Sequence, residues 1–265
     1  MADEDTARPR ALDGSAGDAD YGVIGATYDN YRVPDSRIAR AILEALDDSQ
    51  TVLNVGAGAG SYEPLDRSVT AVEPSAIMRN LRPRSIPLAI DALEEELPFA
   101  DDSFEASMTT FSVHQWVDLA AGLKEMRRVT RGPVVILSCD PALLHRFWLT
   151  EYAPEVIATE RRRYPSIEAL ADGLGGAVTV ESVPIPVDCS DGFNEAYYGR
   201  PEQLLVPEAR QACSAWSFVD PTLAQRYTDN LASDLRAGIW DQHHGSLRTQ
   251  PFFDGSLALV RATPN

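Results

Sequence analysis

Short apolar runs alternate with stretches of helical period through most of this chain. Runs of strand length fall near 51–55, 69–73, 86–90, 105–110 and 133–139. Between them the period changes. Leu119, Leu123, Met126 and Val129 recur at helical spacing after the fourth run. Ile38, Ile42, Leu43 and Leu46 mark one face of an earlier helix that begins at Pro34-Asp35. A short helix with Ser75 at its N-cap follows the second run. A longer helix is expected from Pro141 to Arg161, after the fifth. Two late runs, Val178 to Pro186 and Leu257 to Arg261, bring the expected strands to seven. Strands alternating with helices predict an α/β protein with an open, mostly parallel sheet and helices on both faces.

About 65 residues separate the two late runs, and a connection that long in a compact domain usually builds something functional. It is rich in aromatics: Phe193, Tyr197, Tyr198, Trp216, Phe218, Tyr227 and Trp240. We read 191–250 as a cap inserted before the last strand, over a pocket for an acceptor. Extra core or an oligomer surface is the competing reading. Residues 1–20 lack apolar periodicity and read as a disordered tail. Residues 21–190 and 251–265 then form the main domain.

The chemistry begins where the first strand ends. Asn54-Val55-Gly56-Ala57-Gly58-Ala59-Gly60 runs from that strand into a loop with glycine at every second position, and Ser61-Tyr62-Glu63 follows. Strand, glycine loop and helix is how an open sheet brings backbone close to a nucleotide. A dinucleotide fingerprint needs a third glycine where Ser61 stands, and a P-loop needs Gly-Lys-Ser/Thr, which is missing. A tight loop with no place for pyrophosphate suits an adenosine without phosphate, as in S-adenosylmethionine. The second strand ends in Glu73, whose two carboxylate oxygens can accept from both ribose hydroxyls. Pro74 follows, and Met78 lies one turn into the next helix, where a thioether can cover an adenine face.

In these pieces the chain resembles the class I S-adenosylmethionine-dependent methyltransferases, of the small-molecule kind called methyltransferase type 11. The resemblance rests on Asn54 to Gly60, Ala71-Val72-Glu73-Pro74-Ser75, Glu95 to Phe104 and Glu125-Met126-Arg127-Arg128-Val129, and covers about 20–140. Asp191-Gly192-Phe193 and Arg200-Pro201-Glu202 extend it to a narrower bacterial group. It implies a Rossmann-like, doubly wound sheet, an N-terminal helical lid, and Gly56, Ala57 and Gly58 against the cofactor. Two positions depart from it. The family usually has an acid at Asn54, near the methionine ammonium, and an aspartate where Leu93 stands, near the adenine amino group. Backbone around Leu93 and Glu94 is then expected at the adenine, with Asp91 two residues early.

Ligands in such sheets lie beyond the carboxyl ends of the strands. Thr110 and Phe111 are therefore expected to flank the cofactor, with Trp116 on the acceptor side. His114 is the candidate general base, with a titration expected near neutrality. The alternative is a histidine that caps a helix or bonds backbone. Asp140 is a second acid–base or amine-binding candidate; otherwise it caps the turn at Pro141. Arg32 is expected at the methionine carboxylate, in line with N-terminal helices of related enzymes. Tyr21 and Tyr28 are expected over the transferred methyl, and Tyr197 and Trp216 in the cap. No metal is expected, because no carboxylate or cysteine stands at ligand spacing from His243-His244.

The net charge of -17 disfavours nucleic acid, which needs a basic footprint. Cys139, Cys189 and Cys213 show no paired spacing, and neither a signal peptide nor a membrane-spanning run is visible. A cytoplasmic monomer or homodimer is expected. The expected activity is methyl transfer to a small, flat, electron-rich acceptor of secondary metabolism. A cofactor-binding protein without transferase activity, or with cyclase activity, is the rival. A nicotinamide oxidoreductase is the lesser one, weakened by Ser61.

Overall fold

The computed structural model describes residues 28–264. The tail 1–20 and Tyr21 lie outside the described residues, and Tyr28 is described only as backbone of the short helix Tyr28–Tyr31.

Six strands form the main sheet: β1 (Thr51–Val55), β2 (Ser68–Val72), β3 (Ala106–Thr110), β4 (Val134–Cys139), β5 (Ala177–Ser182) and β8 (Leu257–Thr263), in the order β2-β1-β3-β4-β8-β5. The pairs among β1 to β4 are parallel, and β8 is antiparallel to both β4 and β5. From β1 the chain moves to one side to make β2, then returns to the other side for β3. That reversal leaves a crevice beyond the carboxyl ends of β1 and β3.

The sheet has six strands where seven were expected. The run 86–90 meets β2 only through a single bridge from Ile90 to Val72. Pro87 has no N–H to give a ladder, and Arg82 donates to its carbonyl at 3.0 and 3.1 Å. Leu88 is left 85% exposed. The late run also divides. β5 stops at Ser182, and β6 (Ile185–Pro186) pairs with β7 (Phe252–Phe253) in a two-stranded ribbon at the base of segment 191–250.

Alternate residues of each buried strand feed separate cores, as the period of two requires. Val52, Met108, Val135 and Leu137 pack with Ile38 and Ile42. Leu53, Val55, Val134 and Ile136 face Leu123, Met126, Val129 and Leu170. The helix Ser36–Ala45 forms as expected, with Asp35 accepting from the Arg37 N–H as its N-cap. The helix Leu119–Val129 has Asp118 in the same role. Arg128 on that helix donates to the carbonyls of Leu97 and Phe99 and pairs with Glu125, which accepts from the Leu97 N–H. The two distant motif segments are therefore one clamp.

The helix expected over 141–161 is broken. A 3-10 turn at Leu144–Arg146 is followed by the helices Leu149–Tyr152 and Pro154–Arg163. Ala153 has φ -134 and ψ 62, because the residue before a proline is driven out of the helical region.

Segment 191–250 is helical, and its largest helix is Pro221–Ala237. Its aromatic side chains Tyr198, Trp216, Tyr227 and Trp240 belong to the same core cluster as Val135 and Leu137 of β4. The segment thus completes the hydrophobic cover of one sheet face. Among the described residues no helix is long and apolar enough to cross a membrane.

Candidate active site

A cleft of about 580 Å³, part of it open to solvent, lies at the crevice between β1 and β3. It is lined by the glycine loop, the end of β2 and the segment after β3. Gly56, Ala57, Gly58, Glu73, Pro74, Met78, Glu94, Thr110, Phe111 and Trp116, all expected here, come together in its wall. Ala59, Ser61, Ser112 and Gln115 join them without having been singled out. Their signal was position alone, next to the loop and the end of β3.

Gly56 has φ +63, and a Cβ there would stand 1.9 Å from Ser112 Oγ. The loop can pass the end of β3 only as glycine. Ser112 in turn accepts from Trp116 Nε1 at 3.0 Å, which fixes that ring in the wall. Phe111 has φ +51, a conformation an aromatic residue adopts at a cost of about 1–3 kcal/mol, and it turns the chain into the cleft.

Glu73 is buried and already accepts from the Gly58 N–H at 2.7 Å through Oε2 and from the Ser75 N–H at 2.8 Å through Oε1. Each oxygen keeps a lone pair for a further donor. Burial raises its pKa, against the pull of those two N–H groups. Glu94 is also buried, and its Oε1 has no hydrogen-bond partner among the described residues. Burial, then repulsion from Glu95 and Glu73, pushes its pKa up to about 8. At neutral pH Glu94 is therefore a protonated acid in the cleft wall, able to donate or accept. Leu93 and Asp91 do not line the cleft; Asp91 pairs with Arg79 at 3.1 Å.

Asn54 does not line the cleft either. It donates from Nδ2 to Glu63 Oε1 at 3.0 Å, and Glu63 pairs with Arg82 at 2.9 Å. The family's acid at this position would stand beside Glu63 as a second carboxylate. Asn54 thus braces the loop from beneath.

Arg32 is paired with Asp191 at 2.5 Å, and its guanidinium lies 5.0 Å over the Phe111 ring. Asp191 also accepts from the Tyr62 hydroxyl at 2.8 Å. The Asp191-Gly192-Phe193 motif is thereby tied to the N-terminal segment. The Phe193 ring stands 5.2 Å from that of Phe111.

The titration expected of His114 near neutrality is corrected by its surroundings. Burial, then the positive charges of Arg163 and Arg32, pushes its pKa down to about 3. Its Nε2 lies 3.1 Å from Gln115 Nε2, its Nδ1 has no partner among the described residues, and its ring is 4.6 Å from that of Tyr164. Asp140 accepts from the Ala142 N–H at 2.8 Å, so it is the capping group of its turn. Trp216 donates to Asn194 Oδ1 at 3.0 Å within the core, and Tyr197 is buried beside Arg200. Neither lines this cleft.

The fold supplies a carboxylate that sequence spacing did not show near His243-His244. Glu151 Oε2 lies 3.2 Å from His244 Nε2, and potential ligand atoms of all three residues fall within 4.8 Å of one another.

The methyltransferase-domain family matches residues 53–136, the stretch from β1 through most of β4. A solved structure from Anabaena variabilis, described as a methyltransferase from an antibiotic biosynthesis pathway, is 28% identical with a TM-score of 0.83. The similarity covers 88% of this chain and 99% of that one. A demethylmenaquinone methyltransferase of Mycolicibacterium paratuberculosis is 33% identical over 102 residues, covering 31% of this chain and 44% of its own. A malonyl-acyl-carrier-protein O-methyltransferase of Halorhodospira halophila is 29% identical over 136 residues, covering 44% of this chain and 46% of its own. The chain spans less than half the length of these curated relatives.

Proposed function

We propose that this chain, whose residues 53–136 match the methyltransferase-domain family, transfers a methyl group from S-adenosylmethionine to a small-molecule acceptor. The observation that carries the reading is Glu73. It is held at the tip of β2 by two backbone N–H groups, with lone pairs left over for two vicinal hydroxyls. The residues present fit an adenosine without phosphate. Glu73 would take the ribose, Met78 and Pro74 the adenine face, and Glu94 the polar edge of the base. Gly56 and Gly58 let the loop backbone approach. Among the described residues no arginine or lysine lines the cleft, as bound phosphates would call for.

The cofactor supplies an activated methyl on a sulfonium with a neutral leaving group. The chain's own task is then alignment, which can contribute on the order of 7–11 kcal/mol. Phe111, Ser112 and Trp116 form a rigid wall at the end of β3, where an acceptor would approach. His114, neutral at working pH, serves as a fixed hydrogen-bonding group and not as the base. The flat, aromatic acceptor class of secondary metabolism is supported by the Anabaena similarity and by Phe111, Phe193 and Tyr164 beside the cleft.

The test is release of S-adenosylhomocysteine from labelled S-adenosylmethionine across a panel of aromatic amines and phenols. Turnover dependent on one acceptor class supports the proposal. Cofactor binding with no turnover on any acceptor would leave a binding protein or a cyclase. Binding of a nicotinamide cofactor in its place would favour the oxidoreductase.

A further inference from the structure

Beyond Phe111 the ends of β3 and β4 meet the helix Pro154–Arg163 and segment 191–250 around polar side chains that methyl transfer alone does not explain. Asn194 donates to Glu160 Oε1 at 2.7 Å and is itself held by Trp216. Tyr164, one turn after Glu160, donates its N–H to the Glu160 carbonyl at 2.9 Å. Its ring faces His114, with ring centroids 4.6 Å apart.

His114, Glu160 and Tyr164 each keep some open surface. His114 stands between the cleft-lining Ser112 and Gln115 and packs on Tyr164, so the three form a polar and aromatic wall behind that cleft.

Glu160 is the under-compensated group in that wall. Among the described residues Asn194 is its one side-chain donor, and it forms no ion pair. Arg163, on the same helix, donates to Ser214 Oγ at 2.9 Å with its guanidinium 4.6 Å over Phe218. Arg32 is engaged by Asp191. Glu195, from the facing segment, adds negative charge and is occupied by Ser256. Cys139, Tyr164 and Cys213 are neutral thiols and a neutral phenol, with pKa values raised by burial. Burial likewise pushes Glu160 up to about 7. A half-buried carboxyl with one neutral donor gains most from a cation brought to its second oxygen. Two ring pairs, Phe111 with Phe193 and His114 with Tyr164, supply flat surfaces in the same cluster.

We propose that this cluster beside the cofactor cleft forms the acceptor site and takes an aromatic amine, its ammonium held by Glu160 and its ring against Phe111, Phe193 and Tyr164. The proposal rests on the methyl-transfer reading of the adjoining cleft. It leaves open which atom of the amine is methylated.

The experiment is titration calorimetry on protein saturated with S-adenosylhomocysteine. The probes are tryptamine and tyramine, with their amine-free counterparts 3-ethylindole and 4-ethylphenol. At least one amine should bind about tenfold more tightly than its counterpart, as a charge-assisted bond to a half-buried carboxylate implies. Glu160→Gln should abolish that preference while leaving S-adenosylhomocysteine affinity within about twofold, which shows that the variant is folded. At pH 7, where Glu160 is about half protonated, amine binding should release up to about half a proton, read as a buffer-dependent enthalpy. The release should vanish in Glu160→Gln. Equal or absent binding of amines and counterparts, or an amine preference that survives Glu160→Gln, would overturn the proposal. Failure of the wild-type protein to bind S-adenosylhomocysteine would instead overturn the cofactor reading.

Discussion

The buried ion pair beneath the glycine loop offers the largest single-residue effect that the structure allows to be worked out. Glu63 and Arg82 have side chains 2% and 1% exposed. Arg82 Nη2 stands 2.9 Å from both Glu63 oxygens, and Asn54 adds a third bond to the same carboxylate. Arg82 also donates to the Pro87 carbonyl and, at 3.4 Å, to the Gly58 carbonyl. Glu63→Leu would strand a guanidinium in a dry site with only carbonyls for company. Losing one partner of such a pair typically costs about 3–5 kcal/mol. With a urea slope of about 3 kcal/mol/M, the unfolding midpoint should fall by about 1–1.7 M. Arg82→Leu should be comparably harmful. The double variant Glu63→Leu/Arg82→Leu should lose far less than the sum, since it removes both desolvation penalties together. Urea unfolding of the four proteins closes the cycle. Losses below about 1 kcal/mol in each single variant, or strict additivity in the double, would show that the pair behaves like an exposed one and would refute the reasoning.

Three further outcomes follow from the geometry. Gly56→Ala should weaken S-adenosylhomocysteine binding by at least about tenfold, because its Cβ meets Ser112 Oγ and the new residue must hold φ +63; unchanged affinity in calorimetry would contradict this. Glu94, raised from 4.5 to about 8, is a destabilising influence on the apo protein as pH rises through that window. The folded state then holds a proton the unfolded state releases, so stability should fall by up to about 1.4 kcal/mol per pH unit from this group, and Glu94→Gln should flatten the slope in chemical unfolding; an unaltered slope would contradict the shift. His114→Asn should leave the pH profile of turnover unchanged in shape, because the imidazole is neutral down to about pH 3; loss of a limb near neutrality would restore His114 as a base.

Much of the cofactor cleft was legible because backbone geometry dictates it. A strand that ends in alternating glycines, and a second that ends in an acid, place Gly58 and Glu73 by topology alone. The acceptor side was harder. Glu160 stands about 45 residues beyond Gln115, on a helix whose apolar period reads as ordinary packing, and only tertiary folding carries it to the end of β3. His114 was visible, but its environment was not: Arg32 and the adjacent pair Arg163 and Tyr164 reach it from two distant segments. Asn54 looked like a lost charge until Glu63 and Arg82 appeared beneath it. The strand expected over 86–90 failed for a reason already written in the chain, since Pro87 cannot donate to a ladder. The break at Ala153 was written there too, in Pro154. The aromatics of 191–250 were misleading in a different way. Composition marks such side chains as contact-makers, and most of their contact is with the core behind β4.

The central claim is that the crevice between β1 and β3 holds an S-adenosyl cofactor through Glu73. The most direct measurement is calorimetric titration of the wild-type protein and Glu73→Ala with S-adenosylhomocysteine, with a nicotinamide dinucleotide as control. The account predicts one site per chain for S-adenosylhomocysteine and none for the dinucleotide. Glu73→Ala should lose about 2–4 kcal/mol, because it removes charged bonds to the ribose and the anchor of the Gly58 N–H together. Equal affinity in wild type and variant, or preference for the dinucleotide, would contradict it.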